Sequence, residues 1–282
     1  MIINYPIYND GNLLDFLKSF HLGKAKIYNL FLNKNVLLNN HVAKQTDFIK
    51  CNDIVSIIYD EEIDYKLGSG LVDVLYEDEY FLIVNKKRGI IIHDGKDNDI
   101  ALCNDIAKYY YDNGIYLSVK FPNRIDKDTS GIMIFCKDML TLTYMNYLIE
   151  NHDIVKEYLA ICGGKLKNKS GKITYRIGRD RHVDKMRVSS TGLDALTEYK
   201  VLKECNDYSL VRCRIKTGRT HQIRVHMSYI GNPILGDTLY GGSTKYGNNT
   251  LLHSYRVEFI HPVTLEKIEV LAPIPPDMKG FE

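Results

Sequence analysis

The alternation of apolar and polar residues changes character near residue 62. Ahead of it, Leu13, Leu14, Phe16 and Leu17 fall at helical spacing, as do Ile27, Leu30 and Phe31 within Lys24 to Leu32. These predict two short amphipathic helices. A turn and short strand over 33–40 follow, then an apolar strand, Ile54-Val55-Ser56-Ile57-Ile58. The acidic run Asp60-Glu61-Glu62 and the Lys66-Leu67-Gly68-Ser69-Gly70 stretch have the composition of a linker. Residues 1–62 are expected to form a small unit, 63–71 a linker and 72–282 a larger domain. From 72 onward strands dominate, at 72–76, 80–85, 131–137, 155–162, 173–177, 195–202, 209–215, 255–259 and 267–271. Helical periodicity interrupts them at about 101–112, 139–151 and 219–230. Many strands with few helices predict an α+β fold on a mixed, mainly antiparallel central sheet, with a small α/β unit in front.

Composition narrows the class. The chain has 282 residues, about two domains' worth. Hydrophobic residues make up 45%, enough for a core, which excludes a disordered, collagen-like or coiled-coil chain. The 37 Lys and Arg nearly cancel 35 Asp and Glu, leaving +2. That argues against a strongly basic nucleic-acid coat protein but leaves room for a localised basic cleft. No apolar run reaches the ~18–20 residues of a spanning helix, and the first residues do not read as a secretory leader. A cytoplasmic location, no membrane partner and a monomer are expected. Cys51, Cys103, Cys136, Cys162, Cys205 and Cys213 form no CxxC pair, so they read as small hydrophobes in a reducing compartment.

Three segments carry chemistry. The first is Asn123-Arg124-Ile125-Asp126-Lys127-Asp128-Thr129-Ser130-Gly131, a polar loop running into the buried strand Ile132-Met133-Ile134-Phe135. Loops held on a rigid sheet are where catalytic groups concentrate, and Arg124 and Lys127 flank Asp126 so as to hold it ionised. The bland alternative is a solvated turn. The second, Lys156-Glu157-Tyr158-Leu159-Ala160, places Lys156 and Tyr158 on one face of a strand by alternation. Taken alone, Tyr158 in such a strand is more often ordinary sheet packing. The third, Thr217-Gly218-Arg219-Thr220-His221-Gln222-Ile223-Arg224-Val225-His226, opens a helix that Gly231-Asn232-Pro233 stops. Arg219, His221 and Arg224 crowd its predicted first turns, which suits an anionic partner. His221 and His226 are five apart, whereas paired helical metal ligands sit four apart, so no metal is expected.

In this order and at these separations the segments resemble those of the RluA-type pseudouridine synthases. Their HRLDxxTSG loop, KxYxA strand and TGRTHQIRVHxxxIGxPIxGDxxYG stretch match the residues above, continued here by Ile230-Gly231-Asn232-Pro233-Ile234-Leu235-Gly236-Asp237 and Tyr240-Gly241. Leu75-Tyr76-Glu77-Asp78-Glu79 before Val84-Asn85-Lys86, and Leu251-Leu252-His253 before His261-Pro262, extend the likeness to about residues 72–275. Residues 12–60 look like the alpha-L (S-four-like) RNA-binding module many members carry.

The resemblance implies an isomerase that turns uridine into pseudouridine in RNA, without metal or cofactor. It assigns Asp126 as the essential carboxylate, Arg224 as its cation and Tyr158 as the aromatic on the uracil and candidate base for the carbon 5 proton. Arg124 is expected to support the flipped-out nucleotide, and Leu252 to floor the pocket, with Thr129 beside it. Asn123, Lys156, Arg219 and His221 are expected to bind RNA. In the small unit Lys24 and Lys26, with Lys18, His21 and Lys34, would face phosphates. Asn123 replaces the usual His, Lys87 a common Pro and Asn232 a frequent His, which touches substrate reading rather than the core chemistry. Large-subunit ribosomal RNA is the expected substrate. Transfer RNA, or a silent RNA-binding or ribosome-assembly role, are the alternatives.

Overall fold

The structure is a computed structural model that describes residues 1–93 and 101–282. The small unit contains β1 (Ile2–Pro6), β2 (Gly11–Asn12), α1 (Leu13–Ser19), α2 (Lys24–Leu32), β3 (Val36–Leu38), β4 (His41–Val42), β5 (Phe48–Ile49) and β6 (Ile54–Ile58). The order β1-β6-β3-β4 makes one sheet, and β2 pairs with β5. Alternation buries Ile3 and Tyr5 of β1 with Val55 and Ile57 of β6, and Leu13 and Leu17 of α1 close over them. Strand β1 escaped the sequence reading because only two inward residues mark it.

The larger unit holds β7 (Val74–Glu77), β8 (Phe81–Lys86), α3 (Leu102–Asp112), β9 (Ser130–Cys136), α4 (Met139–Glu150), β10 (Val155–Gly163), β11 (Ser170–Ile173), β12 (Ile177–Arg179), β13 (Met186–Val188), β14 (Thr197–Glu204), β15 (Tyr208–Ile215), α5 (Gln222–Tyr229), β16 (Leu252–Ile260) and β17 (Lys267–Leu271). Its main sheet runs β11-β14-β15-β10-β16-β9-β8-β7, with β17 on β16. Among the described residues every pairing is antiparallel except β9 with β16. At that parallel contact Gly131 has φ +104°, and a Cβ there would lie 2.2 Å from the Ser254 carbonyl oxygen. The loop ahead of β9 can therefore dive under β16 only with glycine at this position.

Two expectations needed correction. The run 173–177 is not one strand: β11 ends at Ile173, and Ile177 leaves the main sheet to pair with Val188 in a separate hairpin. That hairpin packs Ile177 with Ala195 and Val225, so its apolar alternation serves a different surface. The helix expected from 219 begins only at Gln222, because His221 adopts a left-handed conformation (φ 55°).

The small unit packs against the larger one. Tyr80 donates its hydroxyl hydrogen to the Asn4 carbonyl (2.6 Å), and the Tyr59 hydroxyl reaches Asp138 Oδ1 (3.3 Å) at the start of α4. Burial raises the Asp138 pKa, and Thr141 N–H caps its carboxyl at 2.9 Å. Residues 63–71 are irregular but tied down. Gly68 N–H donates to the Asn104 carbonyl, and Ser69 N–H and hydroxyl both donate to Asp105 Oδ1.

Candidate active site

Ten of the singled-out residues line one cavity of about 800 Å³. Asn123, Arg124, Asp126 and Thr129 come from the loop before β9. Lys156 and Tyr158 come from β10, Arg219, His221 and Arg224 from the entry and first turn of α5, and Leu252 from β16. The volume lies within the ~300–1,000 Å³ range of ligand clefts.

The loop carrying Asp126 is held from below. Thr129 N–H donates to the Asp126 carbonyl at 3.1 Å, closing a turn. The Lys86 ammonium, 1% exposed, donates to the carbonyls of Lys87, Ile90 and Lys127 at 3.1, 2.9 and 2.9 Å. Arg88 ties the Asp128, Thr250 and Leu252 carbonyls to the Asp277 carboxylate. Lys86 ends β8 and Arg88 follows it, and neither was given a role from sequence, since a Lys-Lys-Arg run reads as a solvated turn.

Asp126 faces the cavity with its side chain about a quarter exposed. Arg224 Nη1 lies 3.5 Å from its Oδ2, and His221 Nε2 lies 3.9 Å away. The cation paired with it is therefore Arg224 and not a chain neighbour. Arg124 turns away to His93 Nε2 (2.7 Å), while the Lys127 carbonyl caps Lys86.

Arg224 is not an exposed RNA contact. It is 5% exposed and makes a bidentate pair with Asp237, Nε to Oδ2 at 2.7 Å and Nη2 to Oδ1 at 2.8 Å. Its Cζ sits 5.1 Å from the Tyr240 ring centroid. Burial alone would lower its pKa, but the Asp237 and Asp126 carboxylates raise it. One guanidinium is thus fixed by Asp237 and offers its remaining edge to Asp126. Asp237 lies within the Gly236-Asp237 pair of the third stretch, so its signal was visible although its role was not.

His221 is partly buried. Burial lowers its pKa, outweighing the opposing pull of Asp126. Its Nδ1 lies 2.8 Å from the Tyr240 hydroxyl. Arg219 lies in the loop before α5, where its Nε donates to the Asp194 carbonyl at 2.8 Å. Gln222 braces that loop by accepting from Arg219 N–H and the Thr217 hydroxyl. His226 is fully buried between the Thr197 hydroxyl and the Tyr175 carbonyl.

Tyr158 is 6% exposed. Burial pushes its phenol up to about 12, with the Ser254 side chain pulling the other way and Asp126 adding to the rise. Leu252 and Thr129 are buried in the cavity lining. Asn123 Oδ1 is buried without a hydrogen-bond partner among the described residues.

The small-unit candidates lie elsewhere. Lys24 is exposed on α2. Lys26 is exposed with its Nζ 3.2 Å from Met139 Sδ of α4. Lys34 is exposed, and Lys18 pairs with Asp15 (3.0 Å). The His21 ring stacks on Tyr147, centroids 3.4 Å apart, at the contact between the units.

The chain is similar to known proteins over most of its length. A profile of the RNA pseudouridylate synthase family matches residues 80–229. The Bacillus subtilis protein named uncharacterized RNA pseudouridine synthase YhcT is 39% identical, over 89% of this chain and 83% of its own. The ribosomal large subunit pseudouridine synthase D of Xylella fastidiosa is 32% identical over 95% of this chain and 86% of its own. Among solved structures, human RNA pseudouridylate synthase domain containing 1 superposes with a TM-score of 0.62 at 25% identity, covering 77% of this chain and 89% of that one. The chain belongs to the RNA pseudouridylate synthase family. It is an RNA pseudouridine synthase, an isomerase of the RluA type acting on RNA.

Proposed function

We propose that this enzyme isomerises a uridine of large-subunit ribosomal RNA, with Asp126 as the essential carboxylate. The observation that carries the residue assignment is the convergence of Asp126, Arg224 and Tyr158, from three separate segments, on one cavity. The relatives named for large-subunit ribosomal RNA support the choice of substrate.

The target nucleotide leaves its stack to enter the cavity, Arg124 filling the space behind it. The bond from C1′ to uracil N1 breaks, the ring turns, and C5 joins C1′ while the C5 proton leaves and N1 gains one. Atoms balance without a co-reactant. Asp126 acts at the ribose, by attack on C1′ or by removing the 2′ proton. Both routes need it ionised, and the free edge of Arg224 stands 3.5 Å from its Oδ2. Tyr158 packs on the uracil and accepts the C5 proton. At neutral pH a phenol held at about 12 costs roughly 7 kcal/mol to ionise. That fits inside the roughly 16 kcal/mol barrier of an enzyme turning over about ten times a second. The exposed Lys24 and Lys26 add salt-dependent RNA affinity rather than sequence choice.

Pseudouridine mapping in RNA from cells lacking the gene tests this reading. One or more large-subunit sites should lose modification and regain it with the wild-type gene but not with Asp126→Ala. Loss confined to transfer RNA would overturn the substrate, and restoration by Asp126→Ala would overturn the chemistry.

A further inference from the structure

Four lysines are buried among the described residues: Lys86, Lys120, Lys137 and Lys156. Three have acceptors. Lys86 takes three carbonyls, Lys120 pairs with Glu61, and Lys137 reaches Glu77 Oε1 at 2.8 Å and the Asp78 carbonyl. Lys156 is 7% exposed, and its ammonium makes no hydrogen bond or ion pair among the described residues. Burial pushes its pKa down to about 8, and no carboxylate pairs with it among the described residues.

Its position is specific. On β10, Lys156 shares a face with Tyr158, two residues or about 7 Å along the strand. Both line the cavity. Lys156 Nζ lies 4.0 Å from where a Cβ would stand on Gly218, and no other non-neighbouring atom comes within 4 Å of that point. Gly218 is exposed, so the loop over the ammonium carries no side chain that would cover it. Withdrawing an ammonium from water without a partner costs several kcal/mol. An anion arriving with the substrate would relieve that cost, and the anion an RNA brings is its phosphodiester.

We infer that Lys156, beneath the open Gly218 turn, is a subsite for the phosphodiester flanking the flipped uridine. The inference rests on the proposed reading that Tyr158 packs on the uracil of that nucleotide. With the uracil on Tyr158, a group about 7 Å along the same face meets that nucleotide's own backbone rather than a distant one. The contact is made to substrate alone, so it fixes the depth and register of the flipped nucleotide.

The test uses the full-length enzyme and a synthetic stem-loop RNA carrying the mapped uridine. One phosphate at a time, on its 5′ side, on its 3′ side or five nucleotides away, is replaced by a neutral methylphosphonate. Lys156→Gln should lower kcat/KM on unmodified RNA about 10- to 100-fold. One flanking methylphosphonate should lower the wild-type value by a similar factor, while the distant one has no effect. The two changes together should lose no more than either alone, because they remove one contact. Multiplying losses, or a Lys156→Gln enzyme within twofold of wild type, overturn the inference. Should that variant fail to fold, the wild-type arm decides, and indifference to both flanking methylphosphonates overturns it. If wild type makes no pseudouridine in this RNA, the functional reading fails first and the inference falls with it.

Discussion

The underside of the catalytic loop and the wall of its cavity each bury one lysine, and the two are held near the same pKa, about 8. Lys86 is surrounded by three carbonyls that define the path of the loop. Lys156 faces open space beside Tyr158. Two buried ammoniums therefore serve opposite ends. In one place charge is buried to hold the protein's own backbone. In the other it is buried and left unanswered until substrate arrives. The same contrast runs through Arg224, whose guanidinium is fixed by Asp237 and only partly used by Asp126.

The largest expected effect separates the two lysines by sign. Lys86→Met leaves three carbonyls without their donor and puts nothing in place of the buried ammonium, and should cost about 3 kcal/mol or more in urea unfolding, together with most activity. Lys156→Met removes an unpaired buried charge and should stabilise the fold by roughly 1–3 kcal/mol while activity falls. Equal signs in the two unfolding curves would erase the distinction.

Next in size is Asp237→Asn. It weakens the bidentate hold on Arg224 and should reduce kcat about 10- to 100-fold with little change in KM, because the displaced group is a positioning partner of Asp126. A change confined to KM would place Asp237 in RNA binding instead.

The smallest effect is on pH dependence. Below about 8 the folded wild type bears the full penalty of a charged Lys156. As pH rises past 8 the folded state sheds that proton while the unfolded chain keeps it until ~10.4, so the penalty fades. The stability advantage of Lys156→Met should therefore shrink between pH 8 and 10. The comparison must be variant against wild type. The buried thiols of Cys136, Cys162 and Cys213 are pushed up by burial, which makes overall stability fall with pH in the same range. A pH-independent advantage would mean that Lys156 is not desolvated.

Legibility from sequence followed the physics of each feature. Strands buried on both faces, such as Phe81–Lys86 and Ser130–Cys136, announce themselves as apolar runs, and the α+β architecture followed from them. Asp126, Tyr158 and Arg224 were legible because their segments carry specific patterns. The partnership of Arg224 with Asp237 was not, because a thirteen-residue separation within the chain says nothing of contact. Nor was the left-handed turn at His221, which delays α5 and takes His221 and Arg219 out of the helix. Burial was the other hidden quantity. Arg124, Lys156 and Arg224 looked alike as cations, yet one is exposed and two are nearly inaccessible.

The most direct test of the central claim is pseudouridine formation by the purified enzyme, followed as tritium released from RNA labelled at uracil C5. The account predicts stoichiometric release at the target uridine by wild type. It predicts a loss of at least about 10⁴-fold for Asp126→Asn, which keeps the shape and removes the charge. An Asp126→Asn enzyme that stays folded and works within tenfold of the wild-type rate would contradict it.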